Sequence, residues 1–296
     1  MERRTRTPWS NAAAGASRSG RQRPGGAMSQ MPQLVDCHTH TLFSDGKATF
    51  RQNMRAAVSA GLATIACTDH LAHPTFMDCA IDESRLDEYA AEIRHMREEF
   101  PQLEIVHGFE ADWYPGCEAD IAATRGSATF LLGSIHYLDE FAIDWDEDMR
   151  AWEEWGANGV WRRYVDSWCE ACFCPARFDS MAHPDLPRLM GQAGYAPTIA
   201  LEPLWDRMAE AARDAGVHVE LSTAALRKNL GDYYPAEGLL RRFCQTGVPI
   251  TAGSDSHEAS TVGFGIAEAY EHAARVGYKS VDVPTVDGDW RTIALD

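Results

Sequence analysis

Short apolar runs alternate with helical patterns along the chain from residue 33 onward. Each run is followed by turn or polar residues, and then by a stretch whose apolar residues recur three and four positions apart, as in an amphipathic helix. Seven runs predict strands at residues 34–37, 63–67, 104–107, 129–134, 178–182, 217–221 and 249–252, and an eighth lies at 280–283. This alternation predicts an α/β fold built on parallel strands.

The clearest predicted helix lies between the second and third strands. Its core-facing positions are Leu86, Tyr89, Ile93, Met96 and Phe100. Asp82 and Ser84 precede these positions and are candidate N-terminal caps. We expect this helix to contribute packing rather than chemistry.

Metal-binding side chains follow six of the seven predicted strands, at the point where each strand ends. In chain order they are His38, His40, Asp45, His70, Glu110, His136, His183, Asp255 and His257. Parallel strands joined by right-handed crossovers place their carboxyl ends on one face, so these residues would converge there. Imidazoles and carboxylates together suit zinc, manganese or iron, and nine ligands exceed what one or two tetrahedral ions use. The sequence therefore predicts two or three divalent ions at the C-terminal strand ends.

The alternative is an acidic barrel whose polar strand ends merely face solvent. A single histidine usually has such an ordinary role, and we assign one to His73, His95, His107, His218 and His272. Recurrence at six strand ends favours the metal site.

Composition limits the partners of this domain. The chain of 296 residues fits one α/β barrel of roughly 250 residues. Its formal net charge of −17 disfavours nucleic acid and anionic membranes, and favours a small substrate. No run approaches the roughly 20 apolar residues of a membrane span. The oligomeric state stays open.

The cysteines indicate a reducing compartment. All eight are scattered and no apolar signal segment precedes them, which favours free thiols and a cytoplasmic location. The one cluster, Cys169, Cys172 and Cys174, is either a structural metal site or a set of packed thiols.

The first 30 residues differ from the rest. They contain six arginines, one acidic residue and no apolar periodicity, which predicts a disordered basic tail. Met28 and Met31 are alternative starts, so the tail is also interpretable as an over-extended reading frame or as a transit peptide. Residues 31–296 show neither repeat nor linker, and we expect one domain.

The strand-end motifs resemble the polymerase and histidinol phosphatase (PHP) family of metal-dependent phosphoesterases. The matching segments are Asp36-Cys37-His38-Thr39-His40, Thr68-Asp69-His70, Gly108-Phe109-Glu110, Gly133-Ser134-Ile135-His136, Ala182-His183-Pro184-Asp185 and Gly253-Ser254-Asp255-Ser256-His257. The resemblance implies a distorted (β/α)7 barrel, similar to a TIM barrel, with a trinuclear site. It implies that His38, His40, Glu110 and Asp255 hold one ion. It further implies that His70 and His257 hold a second, and that Glu110 bridges to a third bound by His136 and His183.

Two further segments bear on the substrate. Asp45 stands where the histidinol phosphatase branch often has a histidine, in a segment more like that of the family's nucleotide-phosphate members. Residues 219–228, followed by Tyr234-Pro235, resemble the histidinol phosphatase branch. Arg227 is the candidate phosphate clamp, because a guanidinium holds two phosphate oxygens in fixed geometry. Ser222 and Thr223 are candidate hydroxyl donors, and all three are alternatively ordinary structural or surface residues.

The resemblance implies hydrolysis of a small phosphomonoester, with L-histidinol phosphate in histidine biosynthesis as the first candidate. Water made nucleophilic by the metals would attack phosphorus in line, with no phosphoenzyme, and Arg227, Asp255 and His257 are the catalytic candidates. Three alternatives stay open: a nucleotide or other phosphate ester, a C–N or lactone bond as in amidohydrolases, and a non-catalytic metal-binding module.

Overall fold

The computed structural model describes residues 32–71 and 79–295. The strands within these ranges are β1 (Leu34–Asp36), β2 (Leu62–Cys67), β3 (His70–Leu71), β4 (Glu104–Asp112), β5 (Phe130–Ser134), β6 (Tyr137–Leu138), β7 (Phe141–Ala142), β8 (Ser180–Met181), β9 (His218–Ser222), β10 (Ile250–Gly253), β11 (Ser280–Pro284) and β12 (Trp290–Ala294). The α-helices are α1 (Phe50–Ser59), α2 (Leu86–Glu99), α3 (Cys117–Thr124), α4 (Arg150–Cys172), α5 (Glu202–Ala215), α6 (Ala224–Arg227), α7 (Glu237–Thr246) and α8 (Ile266–Val276).

Seven parallel strands form a nearly closed barrel. Their order is β1-β2-β4-β5-β8-β9-β10, and the short strand β3 extends the pairing at the end of β4. The main-chain N–H of Cys37 donates to the Ala252 carbonyl at 2.9 Å, and Thr39 forms a parallel bridge with Ser256. These contacts join the first barrel strand to the last. The predicted seven-stranded α/β barrel is confirmed.

The barrel strands are buried on both faces, which explains their nearly continuous apolar runs. Every residue of β5, β9 and β10 is buried. A charged residue inside such a strand therefore needs a specific partner. Glu220 in β9 is such a residue, with an exposed fraction of 0%.

The helix predicted after the second strand is confirmed as α2. A short 3₁₀ turn, Glu83–Arg85, precedes it, and the Asp82 side chain caps this turn by accepting from the Ser84 main-chain N–H. Tyr89, Ile93 and Met96 face the core as predicted.

Three regions differ from the simple strand-helix alternation. Helix α4 bends at Gly156, which has non-helical backbone angles, and its Trp152, Trp161 and Trp168 are buried in the interior. The strand predicted at 280–283 is present as β11, but it pairs antiparallel with β12 outside the barrel. The β6–β7 hairpin also had no counterpart in the sequence pattern.

No helix in the two described ranges is long and apolar enough to cross a bilayer. The predicted basic tail of residues 1–30, the alternative starts and His73 lie outside the described residues.

Candidate metal centre

The nine predicted ligands meet at the C-terminal end of the barrel. Seven of them line one cavity, and His38 and His40 lie beneath its floor with exposed fractions of 0%. Their ligand atoms form groups within 4.8 Å of one another. The groups are His38, His40 and Asp255; His38, Glu110 and His183; His70, Glu110 and His136; and His40, Asp45, His70 and His257.

Glu110 lies at the centre of these groups, and its two oxygens face different histidines. Oε2 is 3.2 Å from His38 Nε2 and 3.1 Å from His70 Nδ1. Oε1 is 2.9 Å from His183 Nε2 and 3.6 Å from His136 Nε2. A carboxylate placed in this way can bridge two cations. This geometry supports the role that the family resemblance implies for Glu110.

Asp45 joins the histidines on the outer side of the centre. Its Oδ2 is 3.3 Å from His257 Nε2 and 3.7 Å from His70 Nε2, and its Oδ1 is 3.7 Å from His40 Nδ1. The structure thus brings the ninth predicted ligand into the same cluster.

The donor set fits divalent cations. His38 Nε2 and His40 Nε2 lie 3.0 Å apart, near the separation of about 3.3 Å that two nitrogens have on one tetrahedral ion. Within the described part of the chain, His40 Nδ1 is buried without a hydrogen-bond partner, and His70 Nδ1 makes no hydrogen bond although it lies 3.1 Å from Glu110 Oε2. Bound cations would remove both the nitrogen crowding and the unmet polar atoms.

The carboxylates at the centre are held ionised. Burial alone would raise the pKa of Glu110, but the imidazoles of His38, His70 and His136 bring it well below the usual value. Burial would also raise the pKa of Asp255, but the positive charges of Lys228 and His38 bring it well below the usual value. The site therefore presents negative charge to a bound ion.

Buried carboxylates beneath the site organise the loops that carry the ligands. Asp69 accepts from the Thr41 main-chain N–H at 2.7 Å and from the Ser44 hydroxyl at 2.6 Å, which fixes the loop leading to Asp45. Asp36 accepts from the main-chain N–H of Ser254 at 2.8 Å, which anchors the segment leading to Asp255.

Other carboxylates orient the ligand rings directly. Asp112 lies 3.1 Å from His136 Nδ1, and Glu220 lies 2.9 Å from His38 Nδ1. In each case the Nε2 atom is left to face Glu110. Sequence reasoning missed all four supporting carboxylates. For Asp36, Asp69 and Glu220 the available signal was an acidic residue inside or beside a run predicted to be buried, whereas Asp112 lies beyond the strand predicted at 104–107.

The backbone at the site is strained or tightly packed at several points. His183 and Asp255 have φ angles of 25° and 52°, in the left-handed region. A Cβ on Gly46 would lie 2.6 Å from the main-chain carbon of His40, so only glycine fits below that ligand.

Arg227, the predicted phosphate clamp, lines the cavity at the end of α6. Its Nη2 donates to the main-chain carbonyls of Ser254 and Asp255 at 2.7 and 2.9 Å. Its Nη1 is buried and has no hydrogen-bond partner among the described residues. The guanidinium is thereby anchored on one side, with the other nitrogen left for a ligand.

Ser222 and Thr223 are fully buried and are not among the residues that line this cavity. The Thr223 hydroxyl donates to the Phe264 carbonyl at 2.6 Å. A substrate contact by either residue stays a prediction.

Further residues complete the cavity wall. They are Lys47, Asp144, Trp145, Asp146, Leu186, Leu189, Lys228, Glu258 and Thr261. Lys47 pairs with Glu258 at 2.7 Å, whereas Lys228 Nζ lies 3.7 Å from Asp255 Oδ2 and adds positive charge beside the centre.

The cysteine cluster does not assemble as a metal site within the described residues. Cys174 does not group with Cys169 and Cys172. It lies beside Cys117, at an Sγ to Sγ distance of 3.6 Å, and its group of possible ligand atoms is Cys117, Glu118 and Cys174. All eight cysteines are free thiols.

The described histidines assigned to ordinary roles also lie outside the metal-binding groups. His218 stacks on Trp290, and His272 stacks on Tyr233.

Comparison with known proteins agrees with this architecture. The PHP domain model matches residues 36–224. A probable histidinol-phosphatase of Deinococcus radiodurans is 33% identical over 257 residues, which cover 85% of this chain and 96% of that protein. Histidinol-phosphatase of Bacillus subtilis is 25% identical, covering 81% and 97% of the respective chains. A crystal structure of histidinol phosphate phosphatase from Lactococcus lactis, complexed with zinc, L-histidinol and phosphate, superposes with a TM-score of 0.72 at 21% identity, covering 86% and 97%.

Proposed function

Because this chain belongs to the PHP family of metal-dependent phosphoesterases, we propose that it hydrolyses L-histidinol phosphate to L-histidinol and inorganic phosphate. The substrate follows from the relatives named histidinol-phosphatase, which this chain matches over nearly their whole length. Histidine biosynthesis is the pathway that such a reaction serves.

The placement of Glu110 carries the proposal. A single buried carboxylate faces a histidine in β3 and histidines that follow β1, β5 and β8, all at one cavity. Such a centre suits a phosphate ester, whose oxygens need several positive charges in a fixed arrangement. The anchored Arg227 at the cavity wall supports the same substrate class.

Divalent metal ions are the cofactors, and we propose three positions, filled by zinc, manganese or iron. His38, His40, Glu110 and Asp255 would hold the first ion. Asp45, His70 and His257 would hold the second, while Glu110, His136 and His183 would hold the third. When bound, the ions make water a better nucleophile at neutral pH and offset charge on the phosphate.

The chain's own cations complete phosphate binding. Arg227 lines the cavity, its Nη2 is fixed by two carbonyls and its Nη1 makes no hydrogen bond to the described residues, so little side-chain freedom would be lost on binding. Lys228 adds a second positive charge from the adjacent position. Asp255 and His257 shape the floor, because Asp255 contacts His38 and His40 as well as His257.

A substrate panel on purified protein tests the proposal. Metal-stripped protein is reloaded with manganese, zinc or iron, and phosphate release is followed for L-histidinol phosphate, AMP and a nucleoside 3′,5′-bisphosphate. We expect L-histidinol phosphate to be hydrolysed with the highest kcat/KM. A preference for a nucleotide would transfer the assignment to the nucleotide branch, and no turnover of any phosphomonoester would refute it.

We further propose that the enzyme acts in the cytoplasm, with residues 31–296 as one domain. The eight free thiols support a reducing compartment.

A further inference from the structure

Glu220 is a fully buried carboxylate that touches two parts of the metal centre. Its Oε1 lies 2.9 Å from His38 Nδ1, and its Oε2 accepts from the His183 main-chain N–H at 2.6 Å. Both contacts are charge-assisted and shielded from water, which makes them strong. Two of the three side chains in the group His38, Glu110 and His183 therefore depend on one residue of β9.

The surrounding backbone is built around this carboxylate. Gly253 lies at the end of β10, where a Cβ would come within 2.2 Å of Glu220 Oε1. His183 holds a φ of 25°, a conformation that its hydrogen bond to Glu220 helps to maintain. Gly253 leaves the space that the Glu220 carboxylate occupies, and the strained backbone of His183 is held by it. Both features indicate that this carboxylate has a fixed position.

We propose that Glu220 is a positioning residue that keeps His38 and His183 ready to bind metal. Glu220 can accept from a proton on His38 Nδ1, the tautomer in which the Nε2 lone pair is available to a metal, and Nε2 faces His40 and Glu110. By holding the His183 main chain, it places the His183 ring against Glu110. The inference rests on the proposed metal-dependent function, but it concerns metal binding and not the identity of the phosphoester.

The Glu220→Gln variant tests this role with little change in size. The glutamine oxygen can still accept from His183, but its NH2 group then faces His38 Nδ1. That nitrogen must become the acceptor, which moves the ring proton to Nε2 and blocks its lone pair. We expect a 10- to 100-fold loss of metal affinity, of the size seen when partners of metal-binding histidines are removed.

The readouts are metal content per chain, metal affinity by titration, and the visible absorption spectrum of cobalt-loaded protein, each independent of substrate. Glu104→Gln is the matched control, because Glu104 begins β4 at the opposite end of the barrel and pairs with Arg291. We expect this control to keep wild-type metal content and spectrum. Circular dichroism establishes that both variants fold.

Wild-type metal affinity and cobalt spectrum in Glu220→Gln would overturn the proposal. If that variant does not fold, Glu220→Asp provides the second test, because the retracted carboxylate cannot reach both partners. Full metal affinity in Glu220→Asp, or failure of both variants to fold even with metal present, would make Glu220 an ordinary structural residue. Failure of the function assignment would instead appear as metal-replete protein without L-histidinol phosphate turnover.

A second inference concerns Cys117 and Cys174, which lie away from the nine proposed ligands. Cys117 begins α3, Cys174 follows the end of α4, and their sulfur atoms are 3.6 Å apart although 57 residues separate them. Cys117 is fully buried and Cys174 is 6% exposed. The hydrogen bond between the two thiols lowers the pKa of Cys174 and raises that of Cys117, which makes Cys174 the better nucleophile of the pair.

We infer that this pair is an oxidation site at which hydrogen peroxide forms a disulfide. The Cys174 thiolate attacks one peroxide oxygen, giving a sulfenic acid and hydroxide. Cys117 sulfur then attacks the Cys174 sulfur, and its proton leaves with the departing oxygen as water. The hydroxide takes up the proton that Cys174 released on ionising, so two thiols are oxidised and one peroxide is reduced to two waters.

Treatment of zinc-loaded protein with limited peroxide tests the inference. We expect the thiol count in denaturant to fall by two, and peptide mapping to identify a Cys117 to Cys174 cross-link that dithiothreitol reverses. Cys117→Ser should abolish the cross-link, while the control Cys169→Ser should retain it. Cross-links among other cysteines, loss of two thiols in Cys117→Ser, or no thiol loss at peroxide doses that oxidise denatured protein would each overturn the inference.

Discussion

Replacing Gly253 by alanine tests how tightly the metal centre depends on its packing. The added Cβ would lie 2.2 Å from Glu220 Oε1 and 2.7 Å from the His38 Cβ. A non-bonded contact requires roughly 1 Å more. Because Gly253 is not in the left-handed region, alanine itself suits the backbone, and any loss of stability comes from this collision.

The cost follows from the bonds that the displaced carboxylate would lose. Glu220 would move away from His38 Nδ1 or from the His183 N–H, and a hydrogen bond to a charged group contributes about 1.5–3 kcal/mol. Alanine restricts the unfolded chain relative to glycine and returns about 0.4–1 kcal/mol. We therefore expect the free energy of unfolding to fall by about 2 kcal/mol, equivalent to a urea midpoint lower by about 1 M.

Urea unfolding of the metal-free protein, followed by circular dichroism, measures this effect. Gly191→Ala is the matched control, because nothing lies within 4 Å of the Cβ it would gain. We expect the control to be neutral or slightly more stable. Equal urea midpoints for Gly253→Ala and the wild type would refute the packing of Gly253 against Glu220.

Three further predictions concern the ions, the phosphate and pH. Removal of metal by a chelator should lower phosphatase activity below about 1% of the starting value, and a divalent ion should restore it; full activity in verified metal-free protein would contradict the centre. Arg227→Ala should lower kcat/KM about 100-fold in steady-state assays, unlike an exposed control such as Arg241→Ala. Burial, with Arg97 and Arg94, lowers the pKa of His107 in the folded protein to about 4. As pH falls, His107 therefore binds a proton in the unfolded chain before it does so in the folded protein. Between pH 7 and 4.5, the free energy of unfolding of the wild type should therefore fall by about 2 kcal/mol more than that of His107→Gln. Urea denaturation at each pH measures both values, and equal falls in the two proteins would contradict this role of His107.

The barrel and the clustering of the nine candidate ligands were predictable because both follow local rules. Apolar runs marked the strands, and side chains directly after parallel strands must share one face, so residues as distant as His40 and His257 could be placed together. Asp45 was harder because it lies in a loop, whose course depends on bonds between Asp69 and the Thr41 to Ser44 segment.

The supporting contacts were not predictable from local pattern. Glu220 lies inside a strand that otherwise looks like core, and its partner His38 is 182 residues away. Cys174 likewise has a near neighbour in the sequence, Cys172, but its contact is Cys117. Partner choice over such distances follows from the register of the strands and the packing of the helices, which only the assembled fold defines.

The junction of the first and last barrel strands has a consequence for biosynthesis. His38 and His40 leave the ribosome early, whereas Asp255 and His257 follow β10, the strand that completes the barrel through the bond between Cys37 and Ala252. A nascent chain therefore carries most of its metal-binding side chains long before they can surround an ion. Under the proposed ligand assignment, the ligands come together only in the completed barrel, and the free energy of metal binding then adds to its stability.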